Sequence, residues 1–194
     1  WKLSEYGLFD ARSHLLAGAT EEGVYKKLGM PYIPPEMRED TGEIQAACSG
    51  RLPNLVSLAD INGDFHCHSA WSDGNASIEE MANAAKQAGR KYMAITDHTG
   101  VLKIAGGLKA GDFQKQWKEI DALNKKLRGS FTVLKGCEVN LMEDGKPDLP
   151  ASILKGMDVV VGSIHHGFKN PKAKLTRRIR LAMENPNVDI IGHF

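Results

Sequence analysis

From Ile61 onward, near-continuous apolar runs alternate with amphipathic stretches, and every apolar run stops at a residue able to ligate a metal. Gly63-Asp64-Phe65-His66-Cys67-His68 leads on to Asp73, and Tyr92-Met93-Ala94-Ile95-Thr96-Asp97-His98 follows. The later runs are Val133-Leu134-Lys135-Gly136-Cys137-Glu138, Val159-Val160-Val161-Gly162-Ser163-Ile164-His165 and Asp189-Ile190-Ile191-Gly192-His193. Strands buried on both faces of a parallel sheet have this unbroken apolar character. Repeated βα units predict an α/β fold of barrel type. The C-terminal ends of such strands meet on one rim, where chemistry is built. Ligands distant in sequence would therefore converge into a polynuclear metal site, the signature of a metal-dependent hydrolase.

The helices between are marked by their ends. Ser77 and Glu80 form a capping box ahead of the stripe Ile78, Met81, Ala82 and Ala85, and Gly89 stops it. Phe113, Trp117, Ile120, Leu123 and Leu127 make a second stripe, opened by Asp112 and closed by Gly129. A third helix is expected over residues 172–183. The first 60 or so residues differ: Pro and Gly punctuate them, and only short helices fit, over residues 21–28, from Pro35, and over residues 43–47. No strand pattern is convincing before Asp60, so residues 1–60 read as a linker and residues 61–194 as the domain.

Composition sets the outer limits. The 42% hydrophobic and 25% charged residues are ordinary for a globular chain. No apolar run approaches the roughly 20 residues of a membrane helix, and no secretory signal is visible. Cys48, Cys67 and Cys137 form no CxxC pair, which reads as reduced thiols in a cytoplasmic protein. A net charge of +1 leaves any basic surface local.

Successive strand side chains point to opposite faces. His66 and His68 therefore share a face that Cys67 does not, and Cys67 and Cys137 read as small core residues. The same alternation separates Asp97 from His98, Cys137 from Glu138 and His165 from His166. Imidazoles with carboxylates suit Zn²⁺, Mn²⁺ or Fe²⁺, and residue type cannot choose among them. Six of the seven histidines lie in this region, which makes chance a poor explanation. Asp73, in Trp71-Ser72-Asp73-Gly74, is either a ligand or ordinary turn chemistry. Trp71 either stacks on a base or sugar or packs near the rim. Residues 104–111 form either a mobile loop over the site or a solvated connection. Lys169, Lys172, Lys174, Arg177, Arg178 and Arg180 either contact phosphates or line the solvated face of an outer helix. Lys103, Lys109, Arg177 and Arg178 are the candidate substrate contacts.

Together, His66-Cys67-His68, Ser72-Asp73-Gly74, Thr96-Asp97-His98, Gly136-Cys137-Glu138, Ser163-Ile164-His165 and Gly192-His193 resemble the PHP (polymerase and histidinol phosphatase) domain. The head narrows the resemblance. Glu5-Tyr6-Gly7-Leu8-Phe9, Ala17-Gly18-Ala19-Thr20-Glu21-Glu22, residues 32–40, Leu52-Pro53 and residues 60–64 look like the segment joining the polymerase core to the PHP domain in bacterial and archaeal family X DNA polymerases.

The resemblance implies a distorted (β/α)7 TIM-like barrel with up to three divalent ions, Mn or Zn, with Fe as a further option. His66, His68 and Glu138 would bind the first ion. Glu138 would bridge to a second held by His165 and His193, and Asp73 and His98 would bind the third. Catalysis would run through a metal-activated water set by His66, His68, Glu138 and His165. The implied activity is hydrolysis of DNA, as 3′→5′ exonuclease action, 3′-end processing or abasic-site cleavage. The implied partners are a single-stranded DNA 3′ end and a polymerase core in the same chain, with no membrane. Two other readings stand: a small-molecule phosphatase of the histidinol phosphatase type, and a metal-binding domain that braces a polymerase without cutting. The family pattern also has an Asp-x-His pair on a late strand, and Pro where Phe194 stands. The chain stops before that pair and shows no polymerase palm. A truncated barrel, incomplete metal occupancy and weak or absent activity are therefore expected of residues 1–194 alone.

Overall fold

In the computed structural model the described residues are all but Val101 and Phe194, with the Lys103 side chain also outside them. The chain divides into two units, Trp1–Val56 and Ser57–Phe194.

The first unit opens with strands β1 (Lys2–Ser4), β2 (Gly7–Phe9) and β3 (Leu15–Ala17) in an antiparallel sheet. These strands correct the expectation of helices alone before Asp60. At three residues each, with a register shift between Leu8 and Phe9, they are too short for a period-two pattern to show. Helix α1 (Glu21–Lys27) follows, with Thr20 Oγ1 accepting from Gly23 N at 3.1 Å, as its N-cap position requires. A 3-10 turn (Pro35–Met37) and α2 (Glu43–Cys48) complete the unit. Arg38 ties α1 to that turn: its guanidinium donates to Glu21 at 2.8 and 3.1 Å and lies over the rings of Tyr25 and Tyr32.

The second unit holds a five-stranded parallel sheet of β4 (Gly63–Cys67), β5 (Tyr92–Ile95), β6 (Thr132–Asn140), β7 (Val159–Ser163) and β8 (Ile190–Ile191). The spatial order follows the sequence, as in a barrel wall. The connections carry α3 (Ile78–Gln87), α4 (Ala110–Leu127), α5 (Ala151–Leu154) and α6 (Lys172–Met183). Helix α3 has the expected capping box, with Glu80 Oε2 accepting from Ser77 N at 2.8 Å. Helix α4 begins at Ala110, two residues before the expected Asp112. Lys109 is its N-cap, and Asp112 stands three positions in, its carboxylate accepting from Lys109 N.

Strand β6 staggers the sheet. Its residues 132–135 pair with β5, while residues 136–140 pair with β7. Such a stagger accompanies curling toward closure. At the switch stands Gly136, where a Cβ would come within 2.8–2.9 Å of Val159 O, Ile95 O and Thr96 Cγ2.

Strand parity then sorts side chains. Met93, Ile95, Val133, Cys137, Val139 and Val160 face the helices and join apolar clusters with Ile78, Phe113, Ile120 and Leu154. Ala94, Val159 and Val161 pack on the opposite face with Leu134 and Ile190. Glu138 has the same parity as Leu134, and the ligand candidates continue that inner face beyond the strand ends.

Candidate metal centre

Each strand delivers its ligand candidate at or just past its C-terminal end. His66 is in β4 and His68 one residue after it; His98 follows β5, joined to β6 by a bridge between His98 and Glu138. His165 follows β7, and His193 lies two residues beyond β8. Glu138 sits inside β6, fully buried.

The two oxygens of Glu138 face different histidines. Oε2 lies 3.2 Å from His66 Nε2, 3.4 Å from His68 Nε2 and 3.0 Å from His98 Nδ1. Oε1 lies 2.8 Å from His193 Nε2 and 3.3 Å from His165 Nε2. Asp73 lies on the other side of two of these rings, 3.5 Å from His98 Nε2 and 3.8 Å from His68 Nδ1. The His68 and His98 rings stack at 4.3 Å, so each presents one nitrogen toward Glu138 and one toward Asp73. Three ligand sets close enough for one ion result: His66, His68 and Glu138; His68, Asp73 and His98; His98, Glu138 and His165.

The donor set fits divalent ions. Neither Glu138 oxygen accepts a geometrically sound hydrogen bond, and His68 Nδ1 and His98 Nδ1 are likewise buried without a partner. A buried carboxylate left so is strongly unfavourable unless a cation meets it. Burial raises the Glu138 pKa, but the nearby Ser163 hydroxyl and the charges of His66 and His98 outweigh it and hold the group down at about 2. Burial lowers the pKa values of His98 and His165, which keeps both imidazoles neutral with a lone pair to offer.

Outer residues fix this geometry. Asp97, off the ligand face, accepts from Ser69 N (2.7 Å), Ser69 Oγ, Ser72 Oγ and Gln116 Nε2 (each 2.6 Å). It thereby pins the loop that carries His68 and Asp73. The sequence placed Asp97 away from His98 by parity but gave no sign of these partners. Asn140, Thr99 and Asp148 form a second network, behind His165.

The remaining candidates fall elsewhere. Cys67 packs against the helix-side cluster and Cys137 is in the core. His165 faces the centre while His166 turns to Arg178. Arg178 is 1% exposed, and its guanidinium donates to the carbonyls of Leu141 and His166, which takes it out of the substrate contacts. A signal was present: Leu175, Arg178, Ile179 and Ala182 fall at i, i+3, i+4 and i+7, so Arg178 lies in the buried stripe. Lys174 pairs with Glu143 and Arg180 with Glu184. Arg177 and Lys109 are exposed and in no ion pair among the described residues. The Lys103 side chain is outside the described residues. Trp71 packs on both large clusters and donates Nε1–H to Glu119 at 2.9 Å, so its ring is a packing element. Residues 104–111 are anchored rather than free: Leu108 is buried, its N–H donates to His98 O at 2.8 Å, and Gly107 lies against Thr99 O.

A parallel α/β sheet in barrel order, with a buried carboxylate between five imidazoles at its strand ends, defines a barrel-type α/β protein whose rim could hold divalent ions. Residues 64–192 match the family model of the PHP domain, and residues 1–39 match that of the DNA polymerase beta thumb. The chain belongs to the PHP domain family. It is 42% identical over 193 residues to the DNA polymerase/3′-5′ exonuclease PolX of Bacillus subtilis, a match covering 99% of this chain and 33% of that protein. It is 37% identical over 136 residues to a probable phosphatase of Thermoanaerobacter sp., covering 67% of this chain and 52% of that protein. The chain thus spans between a third and about half the length of these curated relatives. A solved structure of a candidate histidinol phosphatase from Listeria monocytogenes aligns with TM-score 0.46 at 19% identity, over 53% of this chain and 44% of its own. That likeness is too loose to carry an argument.

Proposed function

We propose that this chain is the phosphoesterase part of a family X DNA polymerase, and that it hydrolyses phosphodiester bonds at a single-stranded DNA 3′ end. The observation that carries the reading is the division of the Glu138 oxygens between two sets of imidazoles. That arrangement suits a carboxylate bridging two ions, with Asp73 and His98 beside a third. His66, His68, Asp73, His98, Glu138, His165 and His193 would hold the ions, of manganese, zinc or iron. Bound ions would supply water activation and charge stabilisation at a phosphoryl group. The chain's own contribution is to fix the donors: parity aims them inward, Asp97 pins the Asp73 loop, and neutral His98 and His165 keep lone pairs free. Exposed Arg177 and Lys109 are suited to phosphate oxygens. The thumb match at residues 1–39 supports a DNA substrate and a polymerase core as neighbour. No helix among the described residues is long and apolar enough to cross a membrane.

Degradation of a 5′-labelled single-stranded oligonucleotide with Mn²⁺ by the full-length protein, followed on a sequencing gel, tests this. Stepwise shortening lost in His66→Ala and Glu138→Ala is expected; equal shortening by those variants sinks the reading. The phosphatase-named relative favours a second possibility, a small phosphomonoester substrate. Faster release of phosphate from such an ester than of nucleotides from DNA would select it. Ion uptake with neither reaction would select a bracing domain.

A further inference from the structure

The network behind His165 determines which nitrogen of that ring carries the proton. Asn140 is buried against His165, and its amide could face either way on shape alone, so its partners decide. Asp148 Oδ2 lies 2.8 Å from Asn140 Nδ2, and a carboxylate oxygen accepts. Thr99 Oγ1, 3.0 Å from Nδ2, directs its own hydroxyl to Asp148 Oδ1 at 2.6 Å and so also accepts. The Asn140 N–H donates to Asp148 Oδ1 at 3.0 Å, which fixes the backbone to the same carboxylate. With both Nδ2 hydrogens committed, Asn140 must turn Oδ1 toward His165 Nδ1, 2.7 Å away. Only an N–H can complete that bond. Nδ1 is therefore protonated, and Nε2 keeps its lone pair, 3.3 Å from Glu138 Oε1 and 3.3 Å from His193 Nε2.

We infer that Asp148, acting through Asn140, locks His165 in the Nδ1–H tautomer and so holds its Nε2 ready for a divalent ion on the Oε1 side of Glu138. Asn140 and Asp148 are positioning residues, one and two hydrogen bonds removed from the ligand. The tautomer lock follows from the hydrogen bonds alone; its effect on ion affinity rests on the metal reading proposed above. Partners of this kind change metal affinity by roughly 10- to 100-fold when removed.

Histidine-labelled ¹⁵N NMR of the metal-free chain at about pH 8, where imidazoles are neutral, reads the tautomer directly. His165 is expected to show a protonated-type shift at Nδ1 and a lone-pair-type shift at Nε2. The opposite pattern in the unmodified protein overturns the lock, whatever any variant does. In Asp148→Asn the direction of the Asn140 amide is no longer imposed. A mixed tautomer and a roughly 10- to 100-fold weaker Zn²⁺ titration are expected there. In the double variant Asn140→Asp/Asp148→Asn the carboxylate beside His165 can only accept, so the Nδ1–H form and most of the affinity should return. Unchanged tautomer and affinity in Asp148→Asn would overturn the proposal. The Nδ1–H form without Zn²⁺ uptake would support the lock while removing the metal reading.

Discussion

At the scale of single residues, the most consequential placement is a carboxylate without hydrogen bonds in a fully buried position. Glu138 is held below its ordinary value, so its ionised form makes the metal-free fold more stable at neutral pH than in acid. That contribution is lost as pH falls from 4.5 toward 2. Urea melts of metal-free protein across that range should show a steeper loss in the unmodified chain than in Glu138→Gln; parallel losses would contradict the assignment. The cysteines give a second check. Cys48 is exposed, Cys137 is buried, and burial pushes the half-buried Cys67 thiol up to about 12. Iodoacetamide should label Cys48 first, and early labelling of Cys67 by intact mass would show its pocket to be open. Residue parity was legible in the sequence because it is local: whatever points His66 and His68 one way points Cys67 the other. Asp97 and Asp148 were not legible as organisers. The partners of Asp97 lie 19 to 28 residues away in Gln116, Ser72 and Ser69, and Asp148 joins Asn140, 8 residues away, to Thr99, 49 residues away, with no sequence pattern that announces either set.

At the scale of elements, β6 carries the most. It pairs with β5 through one half and with β7 through the other, and Glu138 lies just beyond the switch. Gly136→Ala should destabilise the fold by about 1–3 kcal/mol, because the added methyl meets two backbone carbonyls that cannot rotate away. Chemical denaturation measures this, and a loss near zero would mean that the strands can part there without cost. Helix α3 was legible from its capping box and closing Gly89, and the expected range of α6 matches the one observed. The strands of the first unit were not, since alternation cannot be read from three residues. Helix α4 was misplaced at its start by two residues, because Asp112 serves the cap from the third position rather than forming it.

At the scale of the molecule, the sheet order and the histidine positions belong together. His66 comes from one edge strand of the sheet and His193 from beyond the other, yet their rings lie parallel at 6.3 Å. A flat sheet of five strands, spaced about 4.8 Å apart, would hold them much farther apart. The curl is therefore what assembles the centre. The barrel class was legible from repeated βα units, whereas the degree of curl depends on the stagger at β6 and lies outside any local pattern. The reverse dependence also follows. An ion gripped between Glu138 and the two edges would act as a clasp across the open side of the sheet, so that its binding energy becomes resistance to unfolding. At a hundredfold excess of ion over its Kd the gain is about 2.7 kcal/mol. A rise in melting temperature with Mn²⁺ or Zn²⁺, smaller in His193→Ala, would be its sign, and identical melting curves with and without ion would show that the sheet holds its curvature unaided.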